Sequence, residues 1–259
     1  MKILWIDLNC SYAHSSLALP ALHAQMASDT SVEWDIVSAT INENVGMIVD
    51  EIYRRRPDIL AATAWLFNHE QLMHITSRVK ALLPDACLIL GGPEFLGDNE
   101  EFLRKNPFVD CVFRGEGEEA FPQWLACRKQ PEKWNTIPGL CYLTAEKEYK
   151  DNGLARVLNF SGLVPPEESR FFNWSKPFVQ LETTRGCFNT CAFCAHCPSK
   201  AYATDCKSFT ATASRMYVCS TAPSTIIRAA PKNFSDFFWS SHPTSASIWK
   251  FIPPCCLKS

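Results

Sequence analysis

Cys87-Leu88-Ile89-Leu90-Gly91-Gly92-Pro93-Glu94 runs four apolar residues straight into two glycines, a proline and an acid. A run this short, cut off by Gly-Gly-Pro, reads as a buried strand whose carboxyl end opens into a tight loop. Working outward, the same pattern recurs. Lys2 to Leu8, Glu33 to Ala39, Asp58 to Ala64 and Cys111 to Arg114 are further short apolar runs. Between them, Leu17 to Met26, Asn44 to Arg55, His69 to Leu83 and Asn99 to Asn106 carry apolar residues at three- and four-residue intervals, as crossover helices do. Five strands with four crossovers predict an α/β, flavodoxin-like, doubly wound domain over residues 1–135.

Ligands of such sheets bind beyond the carboxyl ends of the strands, where the strand order reverses. Two strand-end loops therefore matter most: Gly91-Gly92-Pro93-Glu94 and Arg114-Gly115-Glu116-Gly117-Glu118-Glu119. Glycine lets the backbone come close to a large flat ligand and take positive φ, and Pro93 stiffens its turn. The same glycines would serve equally if they only made tight turns, so from these loops alone both readings stay open.

The 259 residues are 47% hydrophobic, enough for one large or two modest domains. A formal charge of −2 gives no electrostatic footprint for nucleic acid, and no apolar run reaches the ~20 residues that span a bilayer. Asp7 interrupts the first apolar run, which does not suit a signal peptide, so the expectation is a cytoplasmic protein. Thirteen cysteines in a reducing compartment point to thiols or metal ligation before disulfides. Cys10, Cys87, Cys111, Cys127 and Cys141 are scattered and read as buried, inert thiols. The other eight lie at or beyond position 187.

Residues 136–178 change character. Gly139 to Leu143 and Ala155 to Leu158 flank the polar stretch Glu146 to Gly153 and predict a hairpin, and Pro165-Pro166 and Lys176-Pro177 break regular structure, as a linker would. Phe178 to Glu182 then reads as the first strand of a second domain. Directly after it stands Thr183-Thr184-Arg185-Gly186-Cys187-Phe188-Asn189-Thr190-Cys191-Ala192-Phe193-Cys194. Three thiolates at spacings of four and three residues can hold three corners of an iron–sulfur cubane and leave its fourth iron open. A structural zinc site would want a fourth ligand, which His196 or Cys197 could supply.

The CxxxCxxC spacing, with Phe193 just before the last cysteine, resembles the radical SAM motif. The resemblance implies that Cys187, Cys191 and Cys194 ligate a [4Fe-4S] cluster over residues 179–194, that the open iron chelates S-adenosylmethionine, and that Phe193 packs by the adenine. A doubly wound domain ahead of such a motif resembles the cobalamin-binding domain of the B12-dependent branch of that family. That implies cobalamin as a second cofactor, possible methyl transfer, and corrin and tail contacts from Gly91, Gly92, Pro93, Glu94, Gly115, Glu116 and Gly117. It also sets Trp65, Leu66, Phe67 and Asn68 against the corrin face. No Asp-x-His-x-x-Gly segment, which gives cobalt a histidine in other B12 proteins, is present, and His14, His23, His69 and His74 read as surface or helix residues.

From Ala195 to Ser259 only Asp205 and Asp236 are acidic, and no helical or alternating period survives, so residues 195–259 are expected to be an irregular, aberrant tail. Suitable codons for Ala211 to Cys256, read one base earlier, give strand, turn and helix periodicity, which points to a reading-frame slip after the cysteine motif. On that expectation the chain keeps the cluster ligands but lacks most of a barrel, and Cys197, Cys206, Cys219, Cys255 and Cys256 have no metal role. The alternatives are a non-catalytic cobalamin-binding module and a zinc-binding α/β protein.

Overall fold

The computed structural model describes residues 1–157, 159–176, 178–182 and 215–219. Seven strands form one sheet in the order β2-β1-β3-β4-β5-β6-β7. β1 (Lys2–Asn9), β2 (Glu33–Thr40), β3 (Ile59–Thr63), β4 (Cys87–Gly91) and β5 (Cys111–Phe113) run parallel. The order 2-1-3-4-5 is that of a flavodoxin-like sheet, and it reverses between β1 and β3.

Side-chain alternation sorts the strands into two cores. Leu4, Ile6 and Leu8 of β1 face Leu60, Leu88 and the helices α2 (Val45–Arg55) and α3 (His69–Leu82). Ile3 and Trp5 join Trp34, Ile59, Ile89 and Phe113 against α1 (Ala18–Met26) and α5 (Ala120–Cys127). Full burial of one such side chain contributes about 1.5–3 kcal/mol, so the two layers together hold the sheet. Asn44 caps α2 by accepting from the Gly46 and Met47 amides at 2.8 and 3.3 Å, and Arg56 ends it in the left-handed region. α4 (Glu100–Lys105) crosses back towards β5.

The region after α5 differs in detail from expectation. β6 (Leu140–Leu143) pairs antiparallel with β5, so the hairpin extends the main sheet. Its second arm, β7, is Tyr149–Asp151, inside the polar stretch, rather than Ala155 to Leu158. An edge strand with its outer face in water needs no apolar run, and Lys150 and Asp151 are exposed. β8 (Phe178–Glu182) is the strand expected to open a second domain, and it pairs antiparallel with β9 (Arg215–Cys219). Among the described residues, 215–219 therefore form a regular strand inside the stretch from 195 to 259, where no element is predicted. The run Arg215-Met216-Tyr217-Val218-Cys219 has the strand-favouring composition for it.

Candidate functional site at the carboxyl ends of the strands

The face carrying Ile3 and Trp5 changes chemistry towards the end of the sheet. On β1 the alternation continues as Asp7 and Asn9, which pair in register with Ser38 and Thr40 of β2. On the other side Ile59 and Ala61 are followed by Thr63, whose partner on β4 is Gly91. Four neighbouring strands thus end in small or polar residues on one face. A polar group in a parallel sheet is costly unless bonded, so such a corner marks ligand territory at the β1/β3 switch point.

Asn68 pins that switch point. Its side chain is 1% exposed. Nδ2 donates to the carbonyls of Leu8 on β1 (2.9 Å) and Thr63 on β3 (3.2 Å), while Oδ1 accepts the Trp65 amide at 2.8 Å. The loop it shapes carries Trp65 and Phe67 nearly parallel, 15° apart with centroids 6.3 Å apart. Leu66 is 86% exposed, Phe67 38% and Tyr12, in the loop after β1, 72%. Large apolar side chains turned into water at the end of an otherwise well-buried sheet mark a binding surface.

Behind Phe67 lies a polar chain that sequence reading missed. His14 meets Phe67 edge-to-face at 5.8 Å. Its Nδ1 lies 2.8 Å from Asn9 Oδ1, and Asn9 Nδ2 donates to Asp7 Oδ2 at 2.7 Å. Burial raises the Asp7 carboxyl above its usual value, against the opposing pulls of the Asn9 hydrogen bond, Lys176, Ser38 and His14. The signal available in the sequence was the alternation Ile3, Trp5, Asp7, Asn9, an apolar face turning polar within one strand.

The glycine loops separate into two kinds. Gly92 has φ +110°, and a Cβ there would meet the Ala64 carbonyl oxygen at 2.5 Å. Gly115 has φ +103°, and its Cβ would meet the Ala155 carbonyl oxygen at 2.3 Å. Both glycines are dictated by the chain's own packing. Gly91 is not: its Cβ would find only ordinary contacts, the nearest at 3.8 Å. Pro93 opens a single helical turn that buries Phe95, and Glu94 Oε2 stands 3.9 Å from His69 Nδ1. Glu116 Oε2 accepts the Val157 amide at 2.6 Å, and Arg114 donates to Leu96 O (2.9 Å) and to Asp151 (2.7 Å). The loop from Gly115 to Gly117 thus clamps the segment beyond the hairpin as well as bordering the site; a Cβ on Gly117 would press Leu22 of α1 at 3.1 Å.

The histidines have separate places. His74 is exposed on α3, and His69 packs against Phe95 and Phe102. His23 is buried on α1 and bonded to Ser169 at 2.9 Å. Of the scattered thiols, Cys111 and Cys141 are buried, Cys87 and Cys127 are half-buried, and Cys10 is exposed, contrary to the expectation for it, because it follows the last residue of β1 at the open end of the sheet. Burial raises Cys87 to about 12 and Cys141 to about 11, so neither is a thiolate at neutral pH. Cys187, Cys191, Cys194 and Phe193 lie outside the described residues, as do His196 and Cys197. Among the described residues no three His, Cys, Asp or Glu side chains converge as a metal site, and no helix is long and apolar enough to cross a membrane.

Residues 8–125 match the family model for the B12 binding domain. The chain is similar to the cobalamin-dependent radical SAM methyltransferase TokK of Streptomyces tokunonensis, 28% identical over 151 residues, covering 53% of this chain and 22% of that protein. It is also similar to the hopanoid C-3 methylase of Methylococcus capsulatus, 28% identical over 145 residues, covering 54% of this chain and 28% of that one. Among solved structures, the cobalamin-dependent S-adenosylmethionine radical enzyme OxsB with aqua-cobalamin bound superposes with a TM-score of 0.54 at 15% identity, over 63% of this chain and 23% of that chain. The similarity to OxsB is one of fold. The matches to the two curated relatives span only 22 and 28% of their length.

Proposed function

We propose that this chain, whose residues 8–125 are a B12 binding domain related to those of cobalamin-dependent radical SAM enzymes, holds cobalamin over the ends of β1, β3, β4 and β5 and adds a [4Fe-4S] cluster for S-adenosylmethionine chemistry of the methyl-transfer class. One observation carries the cobalamin reading: the exposed Tyr12, Leu66 and Phe67 stand at the switch point beside a small, polar strand-end face. A corrin is broad, flat and apolar on its faces, with amides around its rim. Apolar side chains suit its face and the strand-end polar groups suit its rim.

The residues divide the work by position. Trp65 and Phe67 supply a near-flat surface, and Asn68 fixes it relative to β1. Bare backbone at Gly91 gives the ligand close approach, and Gly92, Pro93 and Glu94 carry that turn round the rim. Gly115, Glu116 and Gly117 border the opposite side while anchoring the segment to Val157. Cys187, Cys191 and Cys194 are assigned to the cluster, and Phe193 to the adenine, on their spacing alone. When bound, cobalamin supplies a cobalt centre that can carry a methyl group, and a three-cysteine cluster supplies an iron open to S-adenosylmethionine. The proposed organisation is a cobalamin domain over 1–135, a connecting region over 136–178 and the cluster strand and loop over 179–194, in a cytoplasmic protein.

Binding without catalysis is a second reading. The antiparallel partnership of β8 with β9 favours it, because a radical SAM barrel is built from parallel strands. Titration of the full chain with hydroxocobalamin tests what both readings share: one equivalent taken up with a shifted visible spectrum supports it, and no uptake refutes it. Anaerobic reconstitution with iron and sulfide then separates them, since only the first expects a charge-transfer band.

A further inference from the structure

We infer that His14, tethered through Asn9 to Asp7, is a positioning residue for the cofactor: it holds the Phe67 ring in place against the corrin. The inference rests on the cobalamin reading above and names a residue which that reading does not use.

The argument begins with hydrogen-bond polarity. Asn9 Nδ2 donates to Asp7 Oδ2 at 2.7 Å, so the amide oxygen is left to face His14 Nδ1 at 2.8 Å. An oxygen of this kind only accepts, hence neutral His14 carries its proton on Nδ1. Asn9 is itself buried in the sheet, and Asp7 is tied to β2 through Ser38 Oγ at 3.4 Å. The imidazole is therefore fixed in tautomer and in plane by groups on two rigid strands. Its contact with Phe67 is edge-to-face at 80°. Phe67 in turn lies nearly parallel to Trp65. Phe67, 38% exposed, is thus bracketed by two rings, Trp65 from its own loop and His14 from the loop after β1.

Five forms of the full chain test this: unaltered, His14→Ala, Phe67→Ala, the double variant and His14→Asn. Each single change is expected to raise the Kd for hydroxocobalamin by about tenfold, the upper size of an edge-to-face contact, and the double variant by about the same tenfold rather than a hundredfold. The cobalt hyperfine pattern of bound cob(II)alamin is expected to change in the same way in both single variants, which a general loss of stability would not produce. In the cofactor-free protein, nitrogen chemical shifts are expected to place the His14 proton on Nδ1. His14→Asn, which retains an amide donor towards Asn9 but no ring, guards against a variant that merely fails to fold and is expected to bind like His14→Ala. A hundredfold loss in the double variant, or an unchanged Kd and spectrum in His14→Ala, overturns the positioning role. An Nε2-protonated His14 overturns the tether without reference to cobalamin. Failure of the unaltered chain to bind cobalamin overturns the cofactor reading and this inference with it.

Discussion

Gly92 lies against Ala64 so closely that a methyl group on its Cα would sit 2.5 Å from the Ala64 carbonyl oxygen. Its neighbour Gly91 has no such restraint, since the nearest atom to an added methyl is 3.8 Å away. The two glycines of one turn thus have different reasons to be glycine. Gly92→Ala combines a clash with backbone and a positive φ, and is expected to destabilise the fold by about 2–4 kcal/mol, read as a lowered urea midpoint. Gly91→Ala is expected to leave that midpoint within about 1 kcal/mol of the unaltered chain.

His23 is buried between Trp34 and Phe171 and bonded to Ser169, 146 residues away. Burial first, and the Arg170 guanidinium second, hold its imidazole below the usual 6.5. The unfolded chain therefore binds a proton near pH 6.5 that the folded chain refuses. Stability is full above that pH and falls as pH drops from 6.5 towards the folded value. Melting temperature measured between pH 7.5 and 5 should decline, and His23→Phe should flatten the decline. An equal slope in the variant would place the sensitivity elsewhere.

For Asp7 the sign is opposite. Its carboxyl is held above 3.8, chiefly by burial, so the folded state retains a proton that the unfolded state has lost. The cost builds as pH rises from 3.8 through the folded value and is complete above it. Asp7→Asn keeps an oxygen to accept from Asn9 and carries no charge. It is expected to melt higher than the unaltered chain at pH 7, with the advantage gone below pH 3.8. A variant that melts lower at pH 7 would show that the charge of Asp7, balanced by Lys176, is a net stabiliser.

The cluster assignment has its own test. On the proposed cluster, anaerobic reconstitution is expected to give the unaltered chain a charge-transfer absorbance that Cys191→Ala abolishes, while Cys10→Ala, at an exposed thiol just after β1, leaves it in place. Equal absorbance in both variants would remove the three-cysteine site.

The parallel strands and crossovers were legible because each is short and strongly periodic: Leu72, Ile75 and Val79 fall on one face of α3, and β1 alternates cleanly between two cores. α5 was not read, since Pro122 in its first turn looks like a break although proline is tolerated there. β7 was hidden by polarity that its solvent face permits. At the site, the apolar loop after β3 and the Gly-Gly turn were visible as motifs. The Asp7–Asn9–His14 chain was not, because a local sequence pattern does not reveal a hydrogen bond spanning a strand end and the loop beyond it. The roles of Gly92 and Gly115 needed coordinates as well, for their neighbours Ala64 and Ala155 are distant in sequence.

Cobalamin at the strand ends is the central claim, and the affinity of Gly91→Ala tests it most directly, because Gly91 is a glycine there that packing does not require. The unaltered chain should bind hydroxocobalamin one to one, and Gly91→Ala should bind it at least about tenfold more weakly with an unchanged urea midpoint, as expected when one methyl blocks a close backbone approach. Equal affinity in the two proteins, or no binding by either, would contradict the account.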